Sequence, residues 1–125
     1  MTLARQRIGR RAEDLVAARL AGAGWRILER NARTRLGEID IIAIDGRTLV
    51  FVEVKAGRRG SDLGPERPAL AVGPRKQLRI RRVATAWMAT RPAPPAYAEI
   101  RFDVVGVSFD GAGMNLAVEH IRSAF

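Results

Sequence analysis

The sequence predicts an α/β fold, a mixed β-sheet flanked by helices, and three observations carry that prediction. Apolar residues recur at helical spacing in two separate stretches, one near the N-terminus and one after Gly73-Pro74. Between them lie two strongly apolar strand-like runs joined at Asp45-Gly46, among the strongest short hairpin signals. Two further strand-like runs follow the second helix, so the order is helix, three strands, helix, two strands.

The first helix is predicted over residues 3–23, where Ile8, Ala12, Leu15, Val16 and Leu20 form one stripe and Gly22 and Gly24 supply the stop. Glu13 borders that stripe. Arg19 falls inside it, where it must snorkel or find an acid. Residues 25–30 alternate as a short strand, and residues 31–35 read as a basic connection carrying Arg33 and Arg35 toward an acidic run. Strands follow over residues 38–44 and 48–55. Residues 56–68, rich in Gly, Pro and Arg and including Arg58 and Arg59, read as a long loop, either a nucleic-acid clamp or a solvated linker.

Gly73-Pro74 opens the second helix, with proline at its first position, running to about Arg91. Its buried stripe is Ile80, Val83, Ala84, Trp87 and Met88. Followed back toward the N-terminus, the stripe ends on Lys76 and Gln77, which project from the core-facing side. Arg75, Arg79, Arg81 and Arg82 form an exposed basic surface that either contacts a phosphate backbone or is a solvated face. Pro92 to Pro95 makes a stiff connector, and strands follow over residues 99–109 and 115–121, separated by Asp110-Gly111-Ala112-Gly113.

A chain of 125 residues without internal repeat or boundary is read as one domain, residues 1–125. Its 22 Lys and Arg against 13 Asp and Glu give a net charge of +9, which favours a phosphate-rich partner. An arginine-rich genome would enrich the same residues. Without cysteine, disulfides, thiolate metal sites and a cysteine nucleophile are excluded. No apolar run has the length of a signal peptide core or a membrane span, so a cytoplasmic protein with no membrane partner is expected.

The acidic residues inside the apolar hairpin are the functional signal. With Asp45-Gly46 as a two-residue turn, Ile44 pairs with Arg47, Asp40 faces Phe51 and Glu38 faces Glu53. Glu38, Asp40, Glu53 and Lys55 then share one face, while Ile39, Ile41, Val50, Val52 and Val54 fill the other. A three-residue loop would reverse this parity. Diagonal neighbours on one face lie roughly 7–8 Å apart at the backbone, so Asp40 and Glu53 reach one cation. A hard divalent ion, Mg²⁺ or Mn²⁺, would turn carboxylate repulsion into coordination. Lys55 beside it suits activation of a water or stabilisation of charge on a phosphate, and together these parts describe phosphodiester hydrolysis. The bland reading is a set of surface ion pairs on an edge hairpin.

Asp40 followed by Glu53-Val54-Lys55 resembles the bipartite signature of the PD-(D/E)XK superfamily, whose core has the order αβββαβ. The ordered set Ala12-Glu13, Arg30-Asn31, Gly37-Glu38-Ile39-Asp40, Phe51 to Lys55 and Arg101-Phe102-Asp103 resembles the YraN-like family of uncharacterised bacterial proteins. The resemblance implies a restriction endonuclease-like αβββαβ core with an additional C-terminal strand, related to Holliday junction resolvases. It implies Asp40, Glu53, Glu13 and the Val54 backbone carbonyl as metal ligands, and Lys55 as the catalytic lysine. Ala12 stands where relatives usually have Gly, Arg19 where they tend to have an aromatic, and Ala56-Gly57 where Lys-Thr-Arg is more frequent.

The expected function is therefore a Mg²⁺- or Mn²⁺-dependent endonuclease acting on structured or branched DNA, a homodimer by analogy with resolvases. Glu38, Lys76 and Gln77 are further candidates for the site, and Arg33, Arg35, Arg58, Arg59, Arg75 and Arg79 for nucleic-acid contacts. The competing reading is a non-catalytic DNA- or RNA-binding module that keeps the nuclease fold. Asp103 is expected to pair with Arg101 or a neighbouring arginine in a structural role. His120 is expected to have a surface or packing role, and Trp25 and Trp87 to lie in the core.

Overall fold

The chain in the computed structural model begins with helix α1 (Leu3–Gly22), followed by strands β1 (Arg26–Thr34), β2 (Gly37–Asp45) and β3 (Thr48–Arg58). Helix α2 (Pro74–Thr90) and strands β4 (Glu99–Phe109) and β5 (Leu116–Ile121) complete it. Residues 3–58, 72–91, 96–109 and 116–125 are described. Arg59 and the rest of the predicted loop beyond residue 58, Pro92 to Pro95 and Asp110 to Gly113 lie outside the described residues, as does the side chain of Arg58.

The strands form one sheet in sequence order, β1-β2-β3-β4-β5. β1, β2 and β3 are antiparallel neighbours, β3 and β4 run parallel, and β5 returns antiparallel to β4. Only the parallel step needs a crossover, and α2 lies within it. The predicted mixed sheet with its αβββαβ order and extra C-terminal strand is thus what forms. No helix among the described residues is long and apolar enough to cross a membrane.

Each helix covers one face. Ile80, Val83, Ala84 and Trp87 of α2 pack on Ile42, Ile44, Leu49, Phe51, Phe102 and Val104. On the opposite face Ala12, Val16, Ala17 and Leu20 of α1 pack on Ile41, Ala43, Val50, Val52, Val105 and Val107. Even and odd positions of β3 thereby go to opposite helices, as pleating requires. Trp25 and Trp87 are buried, as expected. Arg19 is exposed, as the snorkelling expectation allows, and Ala17 adds to the core-facing residues of α1.

Three boundaries differ from the sequence expectation. β1 runs through Thr34, so the supposed basic connection is strand and Arg33 pairs with Glu38 across it. β3 continues to Arg58, supported by parallel pairing with β4 up to Phe109. The β2/β3 turn is Gly46-Arg47 rather than Asp45-Gly46, since Asp45 pairs with Thr48. Gly46 adopts φ 62°, a left-handed value that glycine accepts at low cost. The register therefore slides by two residues, which leaves parity intact but changes which residues oppose.

Candidate active site

The acidic centre forms where the alternation of β1 and β2 breaks. Ile41 belongs to the α1 face, yet Ile39 packs with Ile42 on the α2 face. Opposite them Arg30 reaches Asp14 of α1 at 2.6 Å, while Ala32 packs on the α2 side. The paired residues Arg30↔Ile41 and Ala32↔Ile39 bracket Asn31 and Asp40. Asn31 has φ 51°, and asparagine is one of the few side chains that tolerate this conformation. Both strands thus switch faces together.

The switch releases Asp40 from regular pairing. The β2/β3 ladder ends at Ile41↔Val52, and the Val54 N–H instead donates to Asp40 Oδ2 at 2.8 Å. The aspartate side chain takes over where the neighbouring backbone stops. Gly37 fixes the start of the strand: its φ is 141°, and a Cβ there would stand 3.3 Å from Val83 of α2.

Glu53 and Lys55 project to the α2 side, and Glu53 is only 7% exposed. Lys76 Nζ from the first turn of α2 lies 2.7 Å from Glu53 Oε1, and Lys55 Nζ lies 3.6 Å from the same oxygen. Glu13 approaches Asp40 from α1 and shares a hydrogen bond with it. Five residues thus converge from both helices and the two central strands: Glu13, Asp40, Glu53, Lys55 and Lys76.

Their electrostatics follow from crowding. Burial first, then the Glu53 charge, pushes the Asp40 carboxyl up to about 8, against the pull of the Val54 N–H. Asp40 thereby holds its proton through neutrality and donates it to Glu13, which burial also moves upward. Burial and the neighbouring Lys76 lower the Lys55 ammonium. Lys76 goes the other way: burial opposes its charge, but the Glu53 carboxylate and Lys55 raise it. Of the two lysines, Lys55 gives up its proton more readily and Lys76 keeps its charge.

The other candidates lie elsewhere. Glu38 is not on the Glu53 face. With Ile39 turned to α2, alternation sends Glu38 to the α1 side, where its charge acts on Glu13 and Arg33 reaches it at 3.4 Å. The shared face of Glu38, Asp40, Glu53 and Lys55 therefore does not form, because the strand switches between Ile39 and Ile41. Gln77 donates its Nε2 to the Val72 carbonyl at 3.0 Å and anchors the start of α2. For Val54 the structure gives an N–H bonded to Asp40. Arg33, Arg35, Arg75 and Arg79 are all exposed.

Sequence reasoning placed Asn31 in the basic connection and, beyond its part in the family resemblance, gave it no role at the site. It also missed the partner of His120. Asp103, fully buried, accepts Nε and Nη2 of Arg101 at 2.8 and 3.0 Å and the Ser123 N–H at 3.1 Å, and pairs with His120 Nε2 at 2.8 Å. The expected Arg101 partnership is present.

Among the described residues, no three or more His, Cys, Asp and Glu side chains are arranged to enclose a metal ion. The donor set suits a different coordination. Mg²⁺ keeps several waters and takes one or two carboxylates plus substrate phosphate. Asp40 and Glu53 supply two crowded carboxylates, and the proton retained on Asp40 marks a deficit of positive charge that such an ion would relieve.

Residues 12–107 match the sequence profile of a family described as "Uncharacterised protein family UPF0102". The chain is 52% identical over 120 residues to a UPF0102 protein of Parafrankia sp. (strain EAN1pec), covering 96% of this chain and 97% of that one. It is 49% identical over 119 residues to a UPF0102 protein of Syntrophus aciditrophicus (strain SB), covering 95% and 88%. A UPF0102 protein of Rhodococcus opacus (strain B4) is 47% identical over 118 residues, covering 94% and 95%.

Proposed function

The chain belongs to the uncharacterised protein family UPF0102, and within that family we propose that it is a metal-dependent endonuclease hydrolysing phosphodiester bonds in structured or branched DNA. One observation carries the reading. Asp40, Glu53 and Lys55 meet at a break in the sheet, with Asp40 held by the Val54 N–H and left short of positive charge.

Asp40 and Glu53 would hold the divalent cation, with Glu13 beside Asp40. When bound, Mg²⁺ or Mn²⁺ supplies Lewis acidity toward the phosphoryl oxygen. Lys55, whose ammonium burial weakens, would act in its neutral amine form to accept the proton of the attacking water. Lys76 retains its charge and stabilises the negative charge that develops on the phosphate oxygens. The water oxygen bonds to phosphorus, the bond to the leaving sugar oxygen breaks, and that oxygen takes a proton from solvent to leave as a hydroxyl. The net charge of +9 and the exposed Arg33, Arg35, Arg75 and Arg79 favour a polyanion, and cutting two strands of a symmetric junction favours a homodimer.

Purified protein incubated with duplex, nicked, flap and four-way-junction DNA in Mg²⁺ or Mn²⁺ tests the reading. Cleavage of at least one branched substrate, abolished by Asp40→Ala, is expected. No cleavage of any substrate, or cleavage undiminished by Asp40→Ala, would sink it. Salt-sensitive binding that survives Asp40→Ala and Glu53→Ala without cleavage would instead favour a non-catalytic DNA- or RNA-binding module.

A further inference from the structure

Among the described residues two ammonium groups reach Glu53, and the closer one does not come from the strand motif. Lys76 Nζ stands 2.7 Å from Glu53 Oε1, against 3.6 Å for Lys55 Nζ. A nearly buried carboxylate has to be compensated locally, so this contact is the main neutralisation Glu53 receives. The position of Lys76 is itself unfavourable without Glu53. It lies in the first turn of α2, a turn with no acidic residue and an N-cap that makes no side-chain bond, where the helix dipole repels a cation. The turn is pinned by the Gln77 N–H on the Gly73 carbonyl and by Gln77 Nε2 on the Val72 carbonyl, each at 3.0 Å. Lys76 is thus presented to Glu53 from an anchored helix start.

We propose that Lys76 is the resident cation of the metal-free protein and that it and the divalent ion exclude each other on Glu53. This rests on the reading that Asp40 and Glu53 hold that ion. The ammonium keeps Glu53 in place while the centre is empty and sets the metal concentration at which the centre loads. Displaced by the metal, the ammonium stays tethered to α2 beside the arriving phosphate. Lys76 is therefore a positioning and gating residue toward the metal.

The proposal is tested by Mn²⁺ titration, followed by calorimetry and by thermal melting, on the wild type, Lys76→Met, Lys76→Arg and Arg82→Met. Lys76→Met removes the competitor and should bind Mn²⁺ about tenfold more tightly or better. In EDTA it should melt below the wild type, and Mn²⁺ should raise its melting temperature by more. Lys76→Arg, which keeps the charge, should stay near the wild-type affinity, and Arg82→Met on the exposed side of the same helix should change it less than about twofold. Unchanged or weaker binding by Lys76→Met, beside a wild type that binds, would overturn the exclusion and leave the metal reading standing. Equal tightening in Arg82→Met would reduce the effect to net charge and overturn it as well. Binding by neither the wild type nor Lys76→Met would remove both the exclusion and the metal centre.

Discussion

Asp40 on β2, half-buried, and Asp103 on β4, fully buried, are carboxylates separated by one strand, and their surroundings are inverted. Asp103 receives two guanidinium donors, a backbone N–H and the His120 ring. Although burial alone would raise its pKa, His120, Arg101 and the Ser123 N–H hold it below the usual carboxylate range. Asp40 has one N–H donor and two further acids close by, and ends near 8. The chain can satisfy a buried aspartate fully, and does so at Asp103. Leaving Asp40 undersupplied in the same sheet is what the proposed metal-binding role would require.

Breaking each aspartate should therefore have opposite consequences. Asp103→Ala leaves Arg101 and His120 without their buried acceptor and should cost about 3–5 kcal/mol in urea unfolding. Asp40→Asn, which keeps an acceptor for the Val54 N–H but removes the charge, should hold or raise stability in EDTA at pH 8. An Asp103→Ala protein as stable as the wild type, or an Asp40→Asn protein equally damaged, would erase the distinction.

The pH dependence sharpens the same contrast. The folded pKa of Asp40 lies above its unfolded value near 3.8, so the folded state holds the extra proton between the two. Its contribution is fully present below that unfolded value and is lost as pH rises toward about 8. Metal-free protein should lose stability on the order of a few kcal/mol over this window, a slope reduced in Asp40→Asn, where the raised Glu13 carboxyl still contributes. Asp103, with its depressed folded pKa, acts in reverse: its contribution is present above the unfolded value and is lost as pH falls through the folded one. Chemical denaturation in EDTA from pH 3 to pH 9 checks both signs.

A smaller effect is expected at His120. Replacing it by Phe keeps a ring against Trp25, whose centroid is 5.6 Å away, but removes one of the four contacts to Asp103. With Arg101 and Ser123 still in place, about 1–2 kcal/mol should be lost. A loss as large as that of Asp103→Ala would show that the histidine, not the arginine, is the principal partner.

The fold was legible because periodicity and turn signals are local: the α2 stripe of Ile80, Val83, Ala84 and Trp87 and the β4 boundaries agree with expectation. The centre was legible in its members, since Asp40, Glu53 and Lys55 carry charge into apolar strands. Its geometry was not. Alternation assumes an unbroken pleat, and the paired switch at Asn31 and Asp40 depends on the neighbouring strand, which a single-strand pattern does not encode. The Asp103 network joins residues up to 20 positions apart across β4, β5 and the chain end, beyond any local signal.

Glu38 gives the finest test of that switch, because the unbroken pleat would set it against Glu53 and the observed strand does not. Its side chain is 41% exposed and its Arg33 partner 82%, so their 3.4 Å ion pair is screened by solvent and contributes little. Its remaining influence is a long-range push on Glu13. Glu38→Gln should therefore change stability by less than about 0.5 kcal/mol and leave Mn²⁺ affinity and any cleavage rate within about twofold. Were Glu38 part of the centre, the same substitution would remove a ligand and weaken metal binding by about tenfold or more. A loss of that size would return Glu38 to the Glu53 face and require β2 to keep its alternation through Asp40.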